Sequence, residues 1–481
     1  MVPGPAAIEA DPGRYFDGAR PRAYRGTVLP ARVHASGAHP HSQSWRLGRG
    51  PPVRCALERG GGGANRFNGA YRAREKNTLA GRSVVVARGG AHFMKSARIA
   101  ILRHGYYPND PRVYKEVRVL REAGHSVEVL CLRGRGQPPY ETLDGVRIVR
   151  APLSHRRTSK IRYLWEYGFS FVWMSMAVTF RHLWKPYDLI QVNTLPDALV
   201  FATLIPKLMG AFVLLDMHEP TPELYATIYP TPSTSFLSRV HLFIERMAIR
   251  YADRVLTVND TIRRRFVERG APAERLLVVR NVPDERKETV AISRPPVDGF
   301  FRLVTHGTIQ PRYGHEVILQ ALPKIREHIP HVRVIVVGDG EGMPEIRQLA
   351  RDLHCEDIVS FTGRVPLSSI PQLLIQADIG LVPLLKSPFS ELCQPNKLFE
   401  YIALGIPVVA SRLPAIEETF DDSCIRFVEP GDVRELEKAV IELYESPEWR
   451  QTLARNAARQ YERVRWRESR KTYLAGVENA L

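Results

Sequence analysis

From Ala97 onward, short apolar runs alternate with segments whose apolar positions have helical spacing. The runs SARIAIL, SVEVLCL, YDLIQVN, AFVLLDM and DRVLTVN are predicted strands, and the alternation restarts near residue 300 with FRLVTHG, VRVIVVGDG, IVSFTG, DIGLVPL and IPVVAS. Strands that are apolar along their whole length and are joined by helices are typical of parallel sheets covered on both faces. The pattern therefore predicts an α/β protein with two doubly wound domains.

A polar, proline-rich stretch, PDERKETVAISRPPVDG, separates the two series and is predicted to be a linker. The expected divisions are an N-terminal domain over 94–285, the linker over 286–299, a C-terminal domain over 300–465, and a last helix over 466–481 that returns to the N-terminal domain. Ligands of doubly wound domains bind beyond the carboxyl ends of the strands. The cleft between the two domains is therefore the predicted site.

The first 93 residues differ from the rest in composition. They hold 14 Arg and one Lys against five acidic residues, so +10 of the net charge of +17 lies there. The segment is rich in Pro, Gly, Arg and Ala and has little apolar surface to bury, so we expect it to be disordered. A transit peptide is one alternative, although a signal-peptide h-region is lacking; a natural start at Met94 is another. The charge excess therefore does not indicate nucleic-acid binding by the folded domains.

The remaining composition excludes several classes of protein. With 44% apolar and 25% charged residues, the chain resembles a soluble globular protein. Its five cysteines show neither a CxxC motif nor a Cys/His cluster, which fits free thiols in a reducing compartment. No run of 18 uncharged apolar residues occurs, so no membrane-spanning helix is predicted. We expect a cytoplasmic protein without a structural metal site.

One long apolar segment, Tyr167–Phe180, is too short to span a membrane. Basic residues flank it on both sides, namely Arg156, Arg157, Lys160 and Arg162 before it and Arg181, His182 and Lys185 after it. A buried helix of the N-terminal domain is the favoured interpretation. A helix that lies on a membrane surface is the alternative.

The stretch QPNKLFEYIALGIPVVAS, residues 394–411, is predicted to be a short helix followed by a buried strand. Lys397 and Glu400 are three positions apart and project from one face of that helix. An exposed ion pair between them would contribute little to stability. The other interpretation is that both side chains contact a charged ligand.

Several motifs together resemble one enzyme family. The run NDPRVYKEVRVLREAGHSVEVLCLR, with VVGDGEG, FTGRVP, ADIGLVP and NKLFEYIALGIPVVAS, resembles the retaining glycosyltransferases of family 4, which have the GT-B fold. The resemblance extends from Ala97 to the C-terminus, and the order and spacing of the motifs make it specific. It implies two Rossmann-like domains facing a central cleft. It also implies metal-independent transfer of a sugar from a nucleotide-diphosphate donor on the C-terminal domain to an acceptor on the N-terminal domain, with no cofactor.

The resemblance assigns donor-binding roles to particular residues. Lys397 is expected to reach the diphosphate, and Glu400 to accept hydrogen bonds from both ribose hydroxyls. Without a metal, cations and backbone N–H groups neutralise a departing diphosphate. Gly338 and Gly340 follow a buried strand and are expected to turn the chain beside the nucleotide. Arg364 either borders the base or is solvated.

Two positions depart from the family pattern. In the loop that begins at Gly307, which allows close backbone approach, Thr308 and Tyr313 occupy the places of an Arg and a Lys. Arg312 either takes over the phosphate contact or is a surface residue.

The second departure concerns a pair of glutamates eight positions apart, of which Glu400 is the second. Leu392 occupies the place of the first, and Glu391 is adjacent to it. A slip of one residue would bring Glu391 to the donor sugar, so we expect it among the catalytic residues. The identity of the sugar stays open.

The N-terminal domain supplies the remaining candidates. His104 and Gly105 end the first strand, in a loop that faces the cleft in the family. Asn193 leaves another strand and is expected to line the acceptor pocket. In relatives, a histidine at the place of His218 contacts the donor sugar near the reacting carbon, so His218 is the first candidate for the catalytic centre and Glu219 the second.

These observations predict a retaining glycosyltransferase that binds a nucleotide sugar and a saccharide or lipid-linked acceptor. The basic flanks of the 160–184 helix suggest peripheral contact with the inner face of the cytoplasmic membrane. Two alternatives are a nucleotide-sugar 2-epimerase, which uses the same fold, and a GT-B scaffold that binds nucleotide without turnover. Nucleic acid is not an expected partner.

Overall fold

The structure is a computed structural model that describes residues 96–154, 160–229, 235–284 and 298–481. The basic N-terminal segment and nearly all of the expected linker lie outside the described residues. So do Arg156, Arg157 and the side chain of Lys160. The predictions that concern these residues stay predictions.

The described chain forms two α/β domains, as predicted. The first domain has an eight-stranded sheet in the order β3-β4-β2-β1-β5-β6-β7-β8. Its strands are β1 (Arg98–Arg103), β2 (Ser126–Leu132), β3 (Tyr140–Leu143), β4 (Val146–Ala151), β5 (Leu189–Asn193), β6 (Phe212–Asp216), β7 (Arg254–Thr257) and β8 (Leu276–Val278). The second domain has a six-stranded sheet in the order β11-β10-β9-β12-β13-β14. Its strands are β9 (Phe301–His306), β10 (Val332–Val337), β11 (Val359–Gly363), β12 (Ile379–Val382), β13 (Val408–Ser411) and β14 (Arg426–Val428).

Helices connect the parallel strands and cover both sheets. Those of the first domain are α1 (Pro111–Glu122), α2 (Lys160–Trp184), α3 (Leu204–Leu208), α4 (Thr221–Ile228), α5 (Phe236–Tyr251) and α6 (Asp260–Glu268). Those that follow β9 are α7 (His315–His328), α8 (Met343–Asp352), α9 (Ile370–Leu374), α10 (Asn396–Ala403), α11 (Pro414–Glu417), α12 (Val433–Glu445), α13 (Pro447–Tyr461) and α14 (Trp466–Glu478). Asp110 caps α1 as expected, because its side chain accepts from two backbone N–H groups of the first turn.

Two local features depart from the regular alternation of strands and α-helices. The segment Asp197–Thr203 is a 3₁₀ helix that precedes α3. In addition, β3 pairs antiparallel with β4 at the edge of an otherwise parallel sheet. Asp144 and Gly145 turn this hairpin with φ values of 50° and 75°. An Asp-Gly dipeptide between two strands is a strong signal for such a turn, and the sequence contained it.

The alternation of side chains along the strands separates two apolar layers. On β1, Ile99 and Ile101 belong to the layer that contains α1, whereas Ala100 and Leu102 belong to the layer that contains α2, α5 and α6. The last helix, α14, packs against β8 and α1 of the first domain. Tyr473 of α14 is buried, and its hydroxyl donates to Gln191 Oε1 of β5 at 2.6 Å. The C-terminal helix therefore packs against the first domain and is hydrogen-bonded to its sheet.

Candidate active site

A polar cluster lies where β9 ends and α10 begins. His306, the last residue of β9, is buried and hydrogen-bonds through Nε2 to Glu400 Oε2, while its Nδ1 lies 2.9 Å from the Tyr401 hydroxyl. The Glu400 side chain is 36% exposed. Burial raises the pKa of Glu400, but His306, Lys115 and Lys397 together outweigh burial and hold that pKa below its ordinary value. Glu400 is therefore an ionised carboxylate with one side open to a ligand.

Lys397 occupies the first turn of α10 and is buried. Its ammonium lies 5.2 Å from the centre of the Tyr313 ring and 3.5 Å from Thr305 Oγ1. Burial lowers the pKa of Lys397 to about 8, although Glu400 and Cys393 oppose the shift. The interpretation as an exposed ion pair is therefore wrong, because Lys397 is buried and Glu400 pairs with His306.

Glycines bring two backbone loops close together beside this cluster. Gly307 and Gly338 have φ values of 116° and 138°, and the Gly307 amide donates to the Val337 carbonyl at 2.9 Å. A Cβ atom on Gly338 would overlap the Gly307 carbonyl oxygen, and one on Gly340 would overlap that of Ile309. The loops after β9 and β10 therefore pack with no room for a side chain between them.

The Gly338→Ala variant is expected to lose about 3 kcal/mol or more in the free energy of unfolding, because positive φ strain and backbone overlap add together. Gly363→Ala is the matched control, since Gly363 also has positive φ, at 66°, but nothing lies near the added Cβ. The control should lose only about 1–2 kcal/mol. Urea unfolding of both variants measures the difference, and equal losses would contradict the close packing.

Arg312 and Lys397 both lie near the same aromatic ring, that of Tyr313. The Arg312 guanidinium carbon is 5.1 Å from the Tyr313 ring centre and 6.0 Å from that of Phe389. Tyr313 therefore has a cation near it from each of two segments, the loop after β9 and the first turn of α10. The structure brings Arg312, Lys397 and Gly307 into one region.

Cys393 marks the place where this region meets the first domain. Burial raises the pKa of its thiol to about 12; Glu219 raises it further, while Arg312 and Lys397 lower it. Glu219, which follows β6, therefore lies within electrostatic range of the loop that precedes α10. The same loop contacts the first domain directly, because the Phe389 amide donates to Thr227 Oγ1 at 3.2 Å.

Glu391 and Arg364 both reach the protein surface. Glu391 Oε1 lies 3.6 Å from Lys386 Nζ, and both side chains are at least a third exposed. The neighbouring Leu392 is instead buried in the apolar layer of the first domain, and its carbonyl accepts from Asn259 Nδ2 at 2.8 Å. Arg364 is exposed after the end of β11.

His218 lies above a buried ion pair of the first domain. Its Nδ1 is 3.7 Å from Asp216 Oδ2, at the end of β6. Arg112 donates to both oxygens of that carboxylate, with Nη2 at 2.6 Å and Nε at 2.7 Å. Burial raises the pKa of Asp216, but Arg112 and then His218 outweigh burial, so that pKa lies well below its ordinary value. His218 therefore has a permanent negative charge on one side.

Asn193 does not line a pocket, contrary to expectation. Its side chain is fully buried, and Nδ2 donates to Asp216 Oδ2 at 2.6 Å and to Glu116 Oε2 at 3.1 Å. Gln191 Nε2 donates to the same Glu116 oxygen at 2.8 Å. The amides of Asn193 and Gln191 thus donate hydrogen bonds to the buried carboxylates next to His218. Asn193 therefore has a structural role behind the site.

His104 also has a different environment from the one expected. The ring is buried, stacks on Tyr167 with centres 4.4 Å apart, and has Nδ1 2.8 Å from Ser170 Oγ. Because α2 supplies both partners, the side chain packs against that helix and does not face a cleft. Gly105 follows it, and its carbonyl accepts from the Leu132 amide at 2.8 Å.

Two residues of the cluster were not predicted from the sequence. His306 ends a buried strand, and that position was its only sequence signal. The Lys115 ammonium donates to the Val282 carbonyl at 2.5 Å and lies 4.6 Å from the Trp466 ring centre. Burial and Arg112 lower the pKa of Lys115 to about 7, against the influence of Glu116, Asp284 and Glu400. Lys115 thus brings a cation of the first domain within range of Glu400.

Two features are absent from the part of the chain that the structure describes. No group of three or more His, Cys, Asp or Glu side chains in that part of the chain is arranged to hold a metal ion. None of the described helices combines the length and the apolar character needed to cross a bilayer.

Two family profiles match the chain, one in each domain. Residues 110–282 match the glycosyl transferase 4-like domain, and residues 301–446 match the glycosyl transferases group 1. The chain belongs to the group 1, family 4-like glycosyltransferases. This glycosyltransferase therefore has the fold class and the enzyme class that its motifs predicted.

Curated relatives and solved structures agree with this assignment. The 2-deoxystreptamine N-acetyl-D-glucosaminyltransferase of Streptomyces fradiae is 26% identical over 67% of this chain and 80% of its own. The GDP-mannose-dependent alpha-(1-6)-phosphatidylinositol monomannoside mannosyltransferase of Mycolicibacterium smegmatis is 30% identical over 32% of this chain and 40% of its own. Among solved structures, HepE from Anabaena in complex with UDP has a TM-score of 0.59 at 16% identity, covering 80% of this chain and all of its own. At that identity the likeness concerns the fold.

Proposed function

We propose that this glycosyltransferase moves a sugar from a nucleotide-diphosphate sugar to a saccharide or lipid-linked acceptor, with retention of anomeric configuration and without a metal ion. The observation that carries the proposal is the cluster of His306, Lys397 and Glu400 at the end of β9. It combines an open carboxylate with a buried cation beside close-packed glycine loops. The nucleotide in the Anabaena HepE complex is UDP; the nucleotide bound by this chain is left to experiment.

The donor is held at its two polar ends. Glu400 is ionised and hydrogen-bonded to His306. On its exposed side, it accepts hydrogen bonds from the ribose hydroxyls. Lys397 and Arg312, which both lie near the Tyr313 ring, neutralise the diphosphate, and the backbone at Gly307 approaches it closely. These cations take the place of the Arg and Lys that the loop lacks. Gly338 and Gly340 hold the neighbouring loop against Gly307, and Arg364 borders the base.

Charge stabilisation at the departing phosphate drives the transfer. As the sugar leaves, a phosphate oxygen takes the proton of the attacking acceptor hydroxyl on the same face, which retains the anomeric configuration. Lys397 and Arg312 stabilise the negative charge that develops. His218, held next to the Asp216 carboxylate, binds the sugar hydroxyls near the reacting carbon, and Glu219 lies beside it. Glu391 reaches the sugar only if its loop moves away from Lys386.

The first domain binds the acceptor, either in the cytoplasm or at the inner face of the cytoplasmic membrane. The relative from Mycolicibacterium smegmatis is named for a phosphatidylinositol monomannoside, and the relative from Streptomyces fradiae for 2-deoxystreptamine. A lipid-linked acceptor and a small saccharide-like acceptor thus both occur among proteins similar to this chain.

A two-stage assay tests the proposal. A thermal-shift screen against UDP-, GDP-, ADP- and dTDP-sugars identifies the donor, because a ligand that binds only the native state raises its melting temperature. Product analysis with that donor then separates the reactions. Free nucleotide diphosphate and a glycosylated acceptor are expected. An epimeric nucleotide sugar, or binding without any product, would contradict the proposal.

Nucleotide affinity is expected to fall by about tenfold per pH unit above pH 8, because the pKa of buried Lys397 is about 8 in the free protein. Raising the pH through that value removes the charge that pairs with the diphosphate. Binding at higher pH must restore the proton, so calorimetry in buffers of different ionisation enthalpy should show proton uptake. Lys397→Arg is the control, since arginine stays protonated and should give a flat profile. A parent profile that is equally flat would contradict the role of Lys397.

A further inference from the structure

Helix α2 exposes a more apolar face than it buries. Among the described side chains of α2, those that are at least 50% exposed are all apolar: Leu164, Trp165, Val172, Met176, Phe180, Leu183 and Trp184. Its fully buried positions include three polar side chains, Glu166, Ser170 and His182. A helix on the surface of a protein in water has the opposite arrangement, so α2 is built for an apolar neighbour.

Two neighbouring helices extend this face. Both α2 and α5 pack against the 3₁₀ helix at Asp197–Thr203, and α3 packs against α2. All of these elements cover the same face of the first sheet. Their exposed apolar side chains are Leu204, Ile205, Leu208 and Met209 at α3, and Phe236, Leu237, Phe243 and Met247 on α5. We call the outer face of these helices the α2–α3–α5 surface.

The charges of this surface are of one sign. Arg239, Arg246 and Arg250 of α5 are exposed, whereas the loop after α2 exposes one charge of each sign, Lys185 and Asp188, and adds no net charge. The acidic residues of the three helices are Glu166 and Glu245, and both are buried. A wide apolar face with exposed cations and no exposed acids fits the boundary of an anionic bilayer, where apolar side chains enter the acyl region and cations meet head groups.

We propose that the α2–α3–α5 surface binds peripherally to an anionic lipid bilayer and thereby presents the first domain to an acceptor carried by lipid. The lipid-borne acceptor rests on the proposed function, whereas the membrane contact stands on the surface alone. A second copy of this chain fits less well, because pairing the surface with itself would bring the arginines of the two copies together.

The position of α2 links this surface to the active site. Tyr167 and Ser170 of α2 contact His104, which follows the carboxyl end of β1. The carboxyl ends of the strands form the edge of the sheet where His218 also lies. The first half of α2 is therefore next to the acceptor side of the site, and a head group beside it has a short path to the reacting carbon.

Co-sedimentation of the full-length chain tests the proposal, with vesicles of phosphatidylcholine alone and of phosphatidylcholine mixed equally with phosphatidylglycerol. The parent should bind the mixed vesicles more tightly. Combining Met176→Ser, Phe180→Ser and Trp184→Ser should weaken that binding by about 100-fold, because three exposed apolar side chains no longer enter the bilayer. Combining Arg239→Glu with Arg246→Glu should weaken it by at least about tenfold. Leu367→Ser and Arg434→Glu, exposed positions of the second domain, are the matched controls and should bind like the parent.

The triple serine variant is decisive, since the first 93 residues carry ten excess positive charges that could hold the chain on anionic vesicles by charge alone. Undiminished binding by that variant, or no vesicle binding by the parent, would overturn the proposal. A parent that forms a dimer in light scattering, with the dimer lost in the triple variant, would assign the surface to a second copy and overturn it too. The thermal shift with nucleotide sugar separates the two hypotheses. A parent that binds vesicles but no nucleotide sugar would refute only the proposed function.

Discussion

Replacing Glu400 with alanine is expected to weaken binding of the nucleotide diphosphate by roughly 100-fold, or about 3 kcal/mol. The carboxylate is ionised. In the proposed complex, its exposed side accepts hydrogen bonds from two ribose hydroxyls. Hydrogen bonds to a charged group contribute more than neutral ones, and their loss leaves the hydroxyls without partners. Titration calorimetry with the nucleotide chosen by the thermal-shift screen measures the change.

Two variants make this result specific. Glu417→Ala removes an exposed carboxylate of the same domain that pairs with Arg412, and it should bind nucleotide like the parent. Glu400→Gln keeps the shape of the side chain and one acceptor oxygen, so its loss should be smaller than that of alanine. If alanine at 400 left the affinity unchanged while the protein stayed folded, the ribose role would be wrong.

Replacing Arg112 with methionine is expected to lower the free energy of unfolding by about 3–5 kcal/mol. Arg112 donates to both oxygens of buried Asp216 and lies 3.3 Å from the buried Glu116 carboxylate. Without the guanidinium, the buried Asp216 carboxylate loses its ion-pair partner and still faces Glu116. Burial and Asp216 already raise the pKa of Glu116 above its ordinary value. Urea unfolding at neutral pH gives the loss.

The Arg112 prediction has its own control and rescue. Arg121→Met, an exposed position near the end of the same helix, should change the free energy of unfolding by less than about 0.5 kcal/mol. Adding Asp216→Asn to Arg112→Met removes one of the unpaired charges and should restore part of the stability. Equal losses for the Arg112 and Arg121 variants would show that the buried ion pair is not structural.

The fold followed from the sequence because its main signals are local. Continuous apolar strands, helical spacing between them and a polar break near residue 290 are enough to predict two parallel α/β domains. The edge strand Tyr140–Leu143 was not predicted, because its residues alternate between exposed and partly exposed and the strand has little apolar periodicity. Its Asp144-Gly145 turn was the better signal.

From the sequence, side chains can be predicted to lie close together only when they belong to the same element. Lys397 and Glu400 share a helix face, so their proximity is local. His306 joins them through a contact that spans 94 residues, which no spacing rule reveals. Asn193 and His104 were placed correctly at strand ends, but their side chains turn toward a buried ion pair and toward α2. Strand ends locate a residue at the edge of a sheet, whereas packing decides which way its side chain points.

One double-mutant cycle tests the central claim most directly. It compares the parent and Glu400→Gln in their affinities for the ribonucleoside diphosphate and for its 2′,3′-dideoxy analogue, measured by calorimetry. If Glu400 binds the ribose, the parent should prefer the ribonucleotide by about 100-fold, and most of that preference should vanish in the variant. A preference that is the same in both proteins would place the ribose away from Glu400 and contradict the account.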